Sequence, residues 1–336
     1  MDEDQADGDG AGAPVIKVIG VGGGTRIVQF MREHGLTGVQ LVVVDTNAHD
    51  LERATVPEKV QIGAKTTGGM GTFFSHEKGL RAAEESRTQI THIVSGADLV
   101  IVVAGIGGGT SSGASLAIAQ IARKLGIEVL ALVTLPFAFE GKKHALVAQW
   151  FLCELAPHVD ALVVHDNNDF LSPRDGAMSV SKAFELVNAR LFHAMQGIIS
   201  SWQQRAFSFE QQLALVTRGG KVLVSWGQAQ GENAVTEVVA QALNSPWRAA
   251  LGGSRDTRLQ TYALFEHTIE DQAELALPEI HKFIGPDINC LCSCSCCDSR
   301  FLAQGCAILA LFVQIESFET TQKSSRTGRN CTVLGF

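Results

Sequence analysis

The sequence predicts an α/β protein with a Rossmann-like parallel sheet, a long central helix and a smaller mixed α+β second half. Three observations point there. Apolar, β-branched runs alternate with helical patterns through the first half; glycine-rich loops fall at the carboxyl ends of those runs; and one long helical stripe separates the halves.

The central observation is Asp98-Leu-Val-Ile-Val-Val-Ala104, a run that reads as a strand buried on both faces. It leads into Gly105-Ile-Gly-Gly-Gly-Thr-Ser-Ser-Gly113, with five glycines in nine residues. Ala114 to Leu125 follows with helical spacing and a Gly126 stop. Glycines let backbone N–H groups converge, and a helix N-terminus adds partial positive charge, so phosphate is the natural guest. Thr110, Ser111 and Ser112 add hydroxyls. The alternative is a tight turn with no ligand.

In chain order, residues 1–14 are acidic and glycine-rich, and are expected to be a disordered tail. Val15 to Val21 is a strand running into Gly22-Gly-Gly24, then a helix from Thr25 to about Glu33. Val39 to Asp45 is a strand ending in an acid. Taken alone, this unit has the look of a dinucleotide fingerprint with Asp45 on a ribose, which keeps an NAD-dependent oxidoreductase in view. Gly68-Gly-Met-Gly-Thr72 is a third loop, and Glu77 to Ser95 reads as one amphipathic helix. Ile127 to Val133 is a strand, Lys142 to Leu155 a helix, and Asp160 to Val164 a strand that ends at the polar cluster His165-Asp-Asn-Asn-Asp169. Met178 to about Gln203 is the central helix. Beyond it come strands at 221–226, 259–266, 288–296 and 306–314, with helices at 232–244 and 271–284. From 316 onward no period is evident and a tail is expected. The domain division is 15–176, 177–204 and 205–315.

Bulk properties narrow the function. At 336 residues, 46% apolar and 18% charged, the chain has ordinary soluble composition. A net charge of −8 makes nucleic acid an unlikely general partner. No run approaches the roughly 20 apolar residues of a membrane helix. The first residues lack the pattern of a signal or transit peptide, so the cytoplasm is expected. Cys290, Cys292, Cys294, Cys296 and Cys297 crowd together, but alternate-residue spacing is not that of a zinc site. They read as small strand residues; Cys153, Cys306 and Cys331 show no partner pattern.

The motif Gly107-Gly-Gly-Thr-Ser-Ser-Gly113 resembles the GGGTGTG signature of the tubulin and FtsZ superfamily. Further similarity runs through Ile16-Lys-Val-Ile-Gly-Val-Gly-Gly-Gly24, Asp45-Thr-Asn47, Ala82-Ala-Glu-Glu-Ser86, Thr134 to Lys143, Ala183-Phe184, Asn188, Gln196-Gly-Ile198, Gly231-Glu-Asn233 and Ser245-Pro246. It is closer to FtsZ than to eukaryotic tubulin. The resemblance implies a GTP/GDP-binding cytoskeletal protein of cell division, with Mg2+ arriving with the nucleotide. It also implies subunits stacked head to tail, by self-association or co-assembly with another FtsZ. Location at the division site and a membrane reached only through a tether follow from it too. In site residues it implies phosphates held by Gly22, Gly23, Gly24, Gly107, Gly108, Gly109, Thr110, Ser111, Ser112 and Gly113, ribose by Glu140, and guanine by Asn167 and Asn188 under the ring of Phe184.

Departures carry as much weight. The first loop is one residue short, with Thr25-Arg26 in place of glycine and asparagine. Thr72, Phe73 and Phe74 stand where small residues face the terminal phosphate, Ser111 replaces a glycine, and His144 an arginine. After the central helix the family's acidic loop reads Ala206-Phe-Ser-Phe-Glu-Gln211, with Ser208 and Gln211 at the acidic positions. Glu210 and Gln211 are the residues left to orient water. The expectation is weakened or lost GTP hydrolysis, with a non-hydrolysing modulator of a conventional FtsZ, or a decaying paralogue, as alternatives.

Overall fold

The computed structural model describes residues 14–170, 178–203, 221–230, 233–243, 259–267, 278, 289–296, 306–315, 321–323 and 330–332. Six strands form the first half: β1 (Ile16–Val21), β2 (Gln40–Asp45), β3 (Glu58–Gln61), β4 (Leu99–Gly105), β5 (Glu128–Leu135) and β6 (Ala161–Asp166). They lie in the order β3-β2-β1-β4-β5-β6, all parallel. This is the doubly wound order, whose reversal point falls between β1 and β4.

Valine and isoleucine dominate these strands because both faces are covered, and period-two alternation sends successive residues to opposite sides. Ile101 and Val103 join one core with Ile27, Val28 and Met31 of α1 (Gly24–Glu33) and Leu191 and Met195 of α8 (Val180–Gln203). Val100 and Val102 join the other with Ile118 and Ile121 of α6 (Gly109–Lys124) and Phe151 and Leu155 of α7 (Lys142–Leu155). Each fully buried side chain of this size contributes roughly 1.5–3 kcal/mol. The result is a three-layer sandwich with α1 and α6 leaving adjacent strands for opposite faces.

Several short elements went unread in the sequence: α2 (Ala48–Arg53), β3 and α3 (Ala64–Thr67). The expected single helix over Glu77–Ser95 is two, α4 (His76–Glu85) and α5 (Arg87–Val94), broken at Ser86. The break has a local cause. The Gly63 N–H donates to Ser86 Oγ at 2.9 Å, and a Cβ on Gly63 would overlap the Ala82 backbone. One residue earlier, the Glu85 carboxylate accepts from the Lys65 N–H at 2.9 Å, the Thr66 N–H at 2.8 Å and the Thr66 hydroxyl at 2.7 Å. Those bonds, the Thr66 hydroxyl's foremost, hold its pKa below the usual carboxylate value. A helix of four residues has no other N-terminal acceptor, so its cap comes from α4.

The second half continues the same sheet as β7 (Lys221–Gln230), β10 (Cys306–Ile315), β8 (Leu259–His267) and β9 (Asn289–Cys296), with α9 (Ala234–Leu243) alongside. β7 lies beside β6 and parallel to it, with Val163 opposite Val222. β7, β10 and β8 run antiparallel and β9 parallel to β8, directions that the sequence did not specify. Four of the clustered cysteines, Cys290, Cys292, Cys294 and Cys296, do fall on a strand, at the sheet edge. Cys153 of α7 is disulfide-bonded, which its spacing did not foretell. The stretch after 316 is not wholly without structure: β11 (Thr321–Lys323) and β12 (Asn330–Thr332) pair with each other. The N-terminal tail and most of the helix expected at 271–284 lie outside the described residues.

At the pole where β5 begins, Glu128 is pushed up to about 7 by burial and then by the neighbouring Asp160 carboxylate. Asp160 is itself engaged, accepting the Val129 N–H at 2.9 Å. Because the folded chain holds this proton more tightly than the unfolded one, stability falls as pH rises from about 4.5 to about 7. Glu128→Gln should therefore melt higher than the unsubstituted chain above pH 7, by less than about 1 kcal/mol since water reaches the carboxyl, and equally below pH 4.5. Parallel thermal melts across pH 4–8 measure this; a constant offset at every pH would refute it.

Candidate functional site

Two glycine turns meet at the reversal point. Beyond β1, Gly22 takes φ 56°, and its N–H donates to the Val44 carbonyl at 2.9 Å, turning the chain tightly into α1. Beyond β4, Gly107 takes φ 108°, with the His144 carbonyl 3.0 Å from where a Cβ would stand. Both turns need glycine for that conformation. Gly108 then opens α6 with no side-chain cap, so the N–H groups of Gly109, Thr110 and Ser111 begin the helix without intrahelical acceptors. Those donors and the helix dipole make an anion site.

Not all the glycines serve the hollow. A Cβ on Gly24 would overlap the Val103 carbonyl, one on Gly109 would overlap Thr72 Oγ1, and one on Gly113 would overlap the Leu80 N and the His76 carbonyl. A Cβ on Gly79 would overlap the Gly109 carbonyl. These four let α1 sit on β4 and α4 on α6 backbone to backbone. By contrast, a Cβ on Gly23 would find only ordinary contacts at 3.9 Å, so space opens in front of that loop.

Hydroxyls line the floor. Thr46 Oγ1 and Thr110 Oγ1 are 2.7 Å apart, and Thr72 Oγ1 lies 3.4 Å from Thr110 Oγ1. Thr67 donates to the Thr46 carbonyl at 3.3 Å or to the Gly63 carbonyl at 2.9 Å. All four are buried, Thr46 completely. Asp45, the acid offered for a ribose, instead accepts the Thr46 N–H at 2.7 Å and the Asn47 N–H at 3.1 Å. Burial raises its pKa even so. Its carboxylate shapes the turn beneath the hollow. Thr110→Val would leave the buried Thr46 hydroxyl without its 2.7 Å partner and should cost about 1–3 kcal/mol in urea unfolding; an unchanged midpoint would show that the cluster is not coupled.

The third loop rises beside this floor. Phe73 and Phe74 hold left-handed backbone at φ 49° and 66°, strained for aromatic residues. The sequence puts these two rings where the family has small residues facing the terminal phosphate. Both rings are in fact exposed, Phe73 by 70% and Phe74 by 58%. Lys78 Nζ lies 5.6 Å from the Phe73 ring centre, and Phe74 leans on the His144 ring at 4.9 Å. His144 donates from Nδ1 to the Glu140 carbonyl at 2.9 Å.

A second group gathers beyond β5 and β6. Phe137, fully buried, meets Phe184 edge-on at 5.0 Å. Phe184 remains 37% exposed, so its ring is anchored at one edge and open elsewhere. Asn167 is 3% exposed, and its Oδ1 has no hydrogen-bond partner. A buried amide oxygen without a donor costs free energy unless a ligand supplies one. Glu140 Oε1 accepts the Phe137 N–H at 2.8 Å, which ties down one of its two oxygens. Asn168, given in the sequence only as one member of the polar cluster 165–169, joins the two loops: its Oδ1 accepts the Ala138 N–H at 2.8 Å, and its Nδ2 donates to Asp166 Oδ1 at 2.7 Å. Asn188 lies in α8, half-buried, one turn after Phe184. Ser208, Glu210 and Gln211 lie outside the described residues.

The residues present fit a purine nucleotide: two glycine turns around the uncapped N–H donors of α6 at one end, an orphaned amide and an anchored aromatic ring at the other. Among the described residues no three His, Cys, Asp or Glu side chains converge as a metal site, and no helix is long and apolar enough to cross a membrane.

Comparison with known proteins gives a consistent answer. Residues 15–173 match the family description "Tubulin/FtsZ family, GTPase domain". A cell division protein FtsZ of Buchnera aphidicola subsp. Acyrthosiphon pisum is 34% identical, over 82% of this chain and 76% of its own length. Among solved structures, a mutant FtsZ of M. jannaschii superposes with a TM-score of 0.79 at 26% identity, over 94% of this chain and 95% of the other. An empty FtsZ dimer from the same organism gives 0.80 at 24% identity over 97% and 95%, a likeness of fold.

Proposed function

This chain belongs to the tubulin/FtsZ family of cell division GTPases, and from that premise we propose that it binds GTP and GDP at the β1–β4 reversal point, assembles head to tail, and hydrolyses GTP weakly or not at all. The observation that carries the nucleotide reading is the pairing of two glycine turns with unclaimed amide donors at one end and the orphaned Asn167 oxygen at the other. Gly108 and the first turn of α6 hold phosphate through backbone N–H groups, an electrostatic contact independent of side-chain type, while Gly22, Gly23 and Gly107, whose N–H groups donate to the Val44 carbonyl, Ser111 Oγ and Ser112 Oγ, bring the two turns close enough to enclose it. Asn167 and Asn188 satisfy the mixed donor and acceptor edge of guanine while Phe184 covers its face. Magnesium would arrive with the nucleotide and supply charge neutralisation at the phosphates.

Self-association is supported by the relatives, one of which is an FtsZ dimer. Weak hydrolysis is supported by the sequence alone. The positions expected to carry water-activating acids are Ser208 and Gln211, and attack on a γ-phosphate needs an oriented water and a charge clamp. A subunit with a working nucleotide face and no acid at the opposite pole would co-assemble with a conventional FtsZ and slow its turnover. That second version is favoured by the same two residues.

Identification of the nucleotide carried through purification tests the binding claim. Guanine nucleotide at near one per chain in the unsubstituted protein, and its loss in Asn167→Ala, is the expected result. NAD in place of GTP or GDP would overturn it. Phosphate release measured alone and mixed with an active FtsZ then separates filament former from modulator.

A further inference from the structure

We propose that Ser111 sets the length of polyphosphate the site accepts, filling the innermost position of the hollow with its hydroxyl so that a nucleoside diphosphate binds in preference to a triphosphate. The inference rests on the nucleotide reading above and concerns what this chain does differently with the same hollow.

The geometry is specific. Ser111 is the third residue of α6 and 4% exposed. Its Oγ accepts the Gly23 N–H at 3.3 Å, spanning the two glycine turns. It stands 2.8 Å from where a Cβ on Gly22 would be and 3.3 Å from one on Gly108. Gly22 and Gly23 of the first turn and Gly108 of Ser111's own turn therefore converge on one side-chain oxygen. With glycine at position 111 the same convergence would enclose space, and the Gly23 N–H would face it.

Two consequences follow. The oxygen takes the volume and the donor that one phosphate oxygen would use, so any phosphate chain must sit one oxygen layer further out. Because Oγ accepts from Gly23, its own proton is left to donate outward, so the nearest phosphate is still held, through the hydroxyl rather than directly. A helical serine has few alternative χ1 positions, and this one is enclosed, so the hydroxyl does not simply swing aside. The cost then falls on the far end of the ligand. A third phosphate is displaced toward the Thr72–Phe74 loop, whose left-handed Phe73 and Phe74 turn their rings outward beside Lys78 and His144 and so bring no side-chain donor to it.

The test is calorimetric titration of the full-length chain with GDP and with GTP in magnesium buffer, for the unsubstituted protein, Ser111→Gly and Ser111→Ala. The unsubstituted chain should bind GDP about tenfold more tightly than GTP, the worth of one hydrogen bond to a charged group. Ser111→Gly should erase most of that preference by tightening GTP. Ser111→Ala, which frees the Gly23 N–H but keeps the Cβ, should shift the ratio part of the way. Thermal melts of each apo protein report folding; if Ser111→Gly fails to fold, the alanine variant decides alone. A GTP-to-GDP ratio unchanged in either folded variant, or GTP preferred by the unsubstituted chain, overturns the inference while leaving the nucleotide reading in place. If no variant binds either nucleotide, the nucleotide reading falls and this inference with it.

Discussion

Gly79→Val should prevent the first half from folding, or lower its stability by about 4 kcal/mol or more, because the new side chain has no room that a rotamer change could create. A Cβ at this position overlaps the backbone carbonyl of Gly109, and Gly109 and Gly113 make reciprocal backbone approaches to Ser75, His76 and Leu80. Helices α4 and α6 thus touch main chain to main chain over a full turn. Nothing flexible lies between them, so the helices must separate. Separation would also move the N-terminus of α6 away from the Thr72 loop and break the Thr72–Thr110 contact. The contrast is Gly126→Ala. Gly126, unlike the helical Gly79, has φ 73°, but nothing lies within 4 Å of a Cβ there, so it should lose only about 1 kcal/mol from backbone strain. Soluble yield and urea midpoints for the two variants side by side distinguish steric exclusion from conformational cost. Comparable losses at both positions would mean that the α4–α6 contact is not close.

The same contact explains what could and could not be read from the chain beforehand. The buried strands were legible because parallel sheets covered on both faces demand unbroken β-branched runs, and Leu99-Val-Ile-Val-Val is one. Lys142–Leu155 was legible to the residue, since a proline and a glycine precede it and its stripe is regular. Gly79 was not legible as a contact residue. Its partner is thirty residues away, and a glycine within a helical pattern signals only weakness. The break at Ser86 was hidden for a like reason, being imposed by Gly63 from another element. In the site, glycine density pointed to the two turns at the sheet's reversal point but not to the division of labour within them. Gly22, Gly23, Gly107 and Gly108 face the hollow or shape it, whereas Gly24, Gly109 and Gly113 are required by neighbouring backbone. Thr46 was within a quoted motif, yet its role depends on Thr110, sixty-four positions on. Asn168 looked like one more polar residue in a cluster, and only the fold shows it joining two loops.

Placing aspartate at Ser208 and Gln211 together should raise GTP turnover in the assembled state by about 10²–10³-fold, if the chain's slow step is activation of water. Loss of one well-placed electrostatic contributor to such a transition state costs roughly 3–4 kcal/mol. Neither serine nor glutamine carries the charge, and glutamine can do no more than orient the water. Because the acids of one subunit serve the nucleotide of the next in the proposed arrangement, the gain should appear only above the concentration at which chains associate. It should also be absent when the doubly substituted chain is mixed with an excess of an Asn167→Ala subunit, which presents an empty nucleotide face. Glu210 offers the competing account, since a neighbouring carboxylate could do the work already. In that case the unsubstituted chain turns over briskly, Glu210→Gln abolishes the reaction, and the added aspartates change little. Steady-state phosphate release for the three proteins across a range of chain concentrations decides between a subunit that has lost its acids and one that has moved them by a residue.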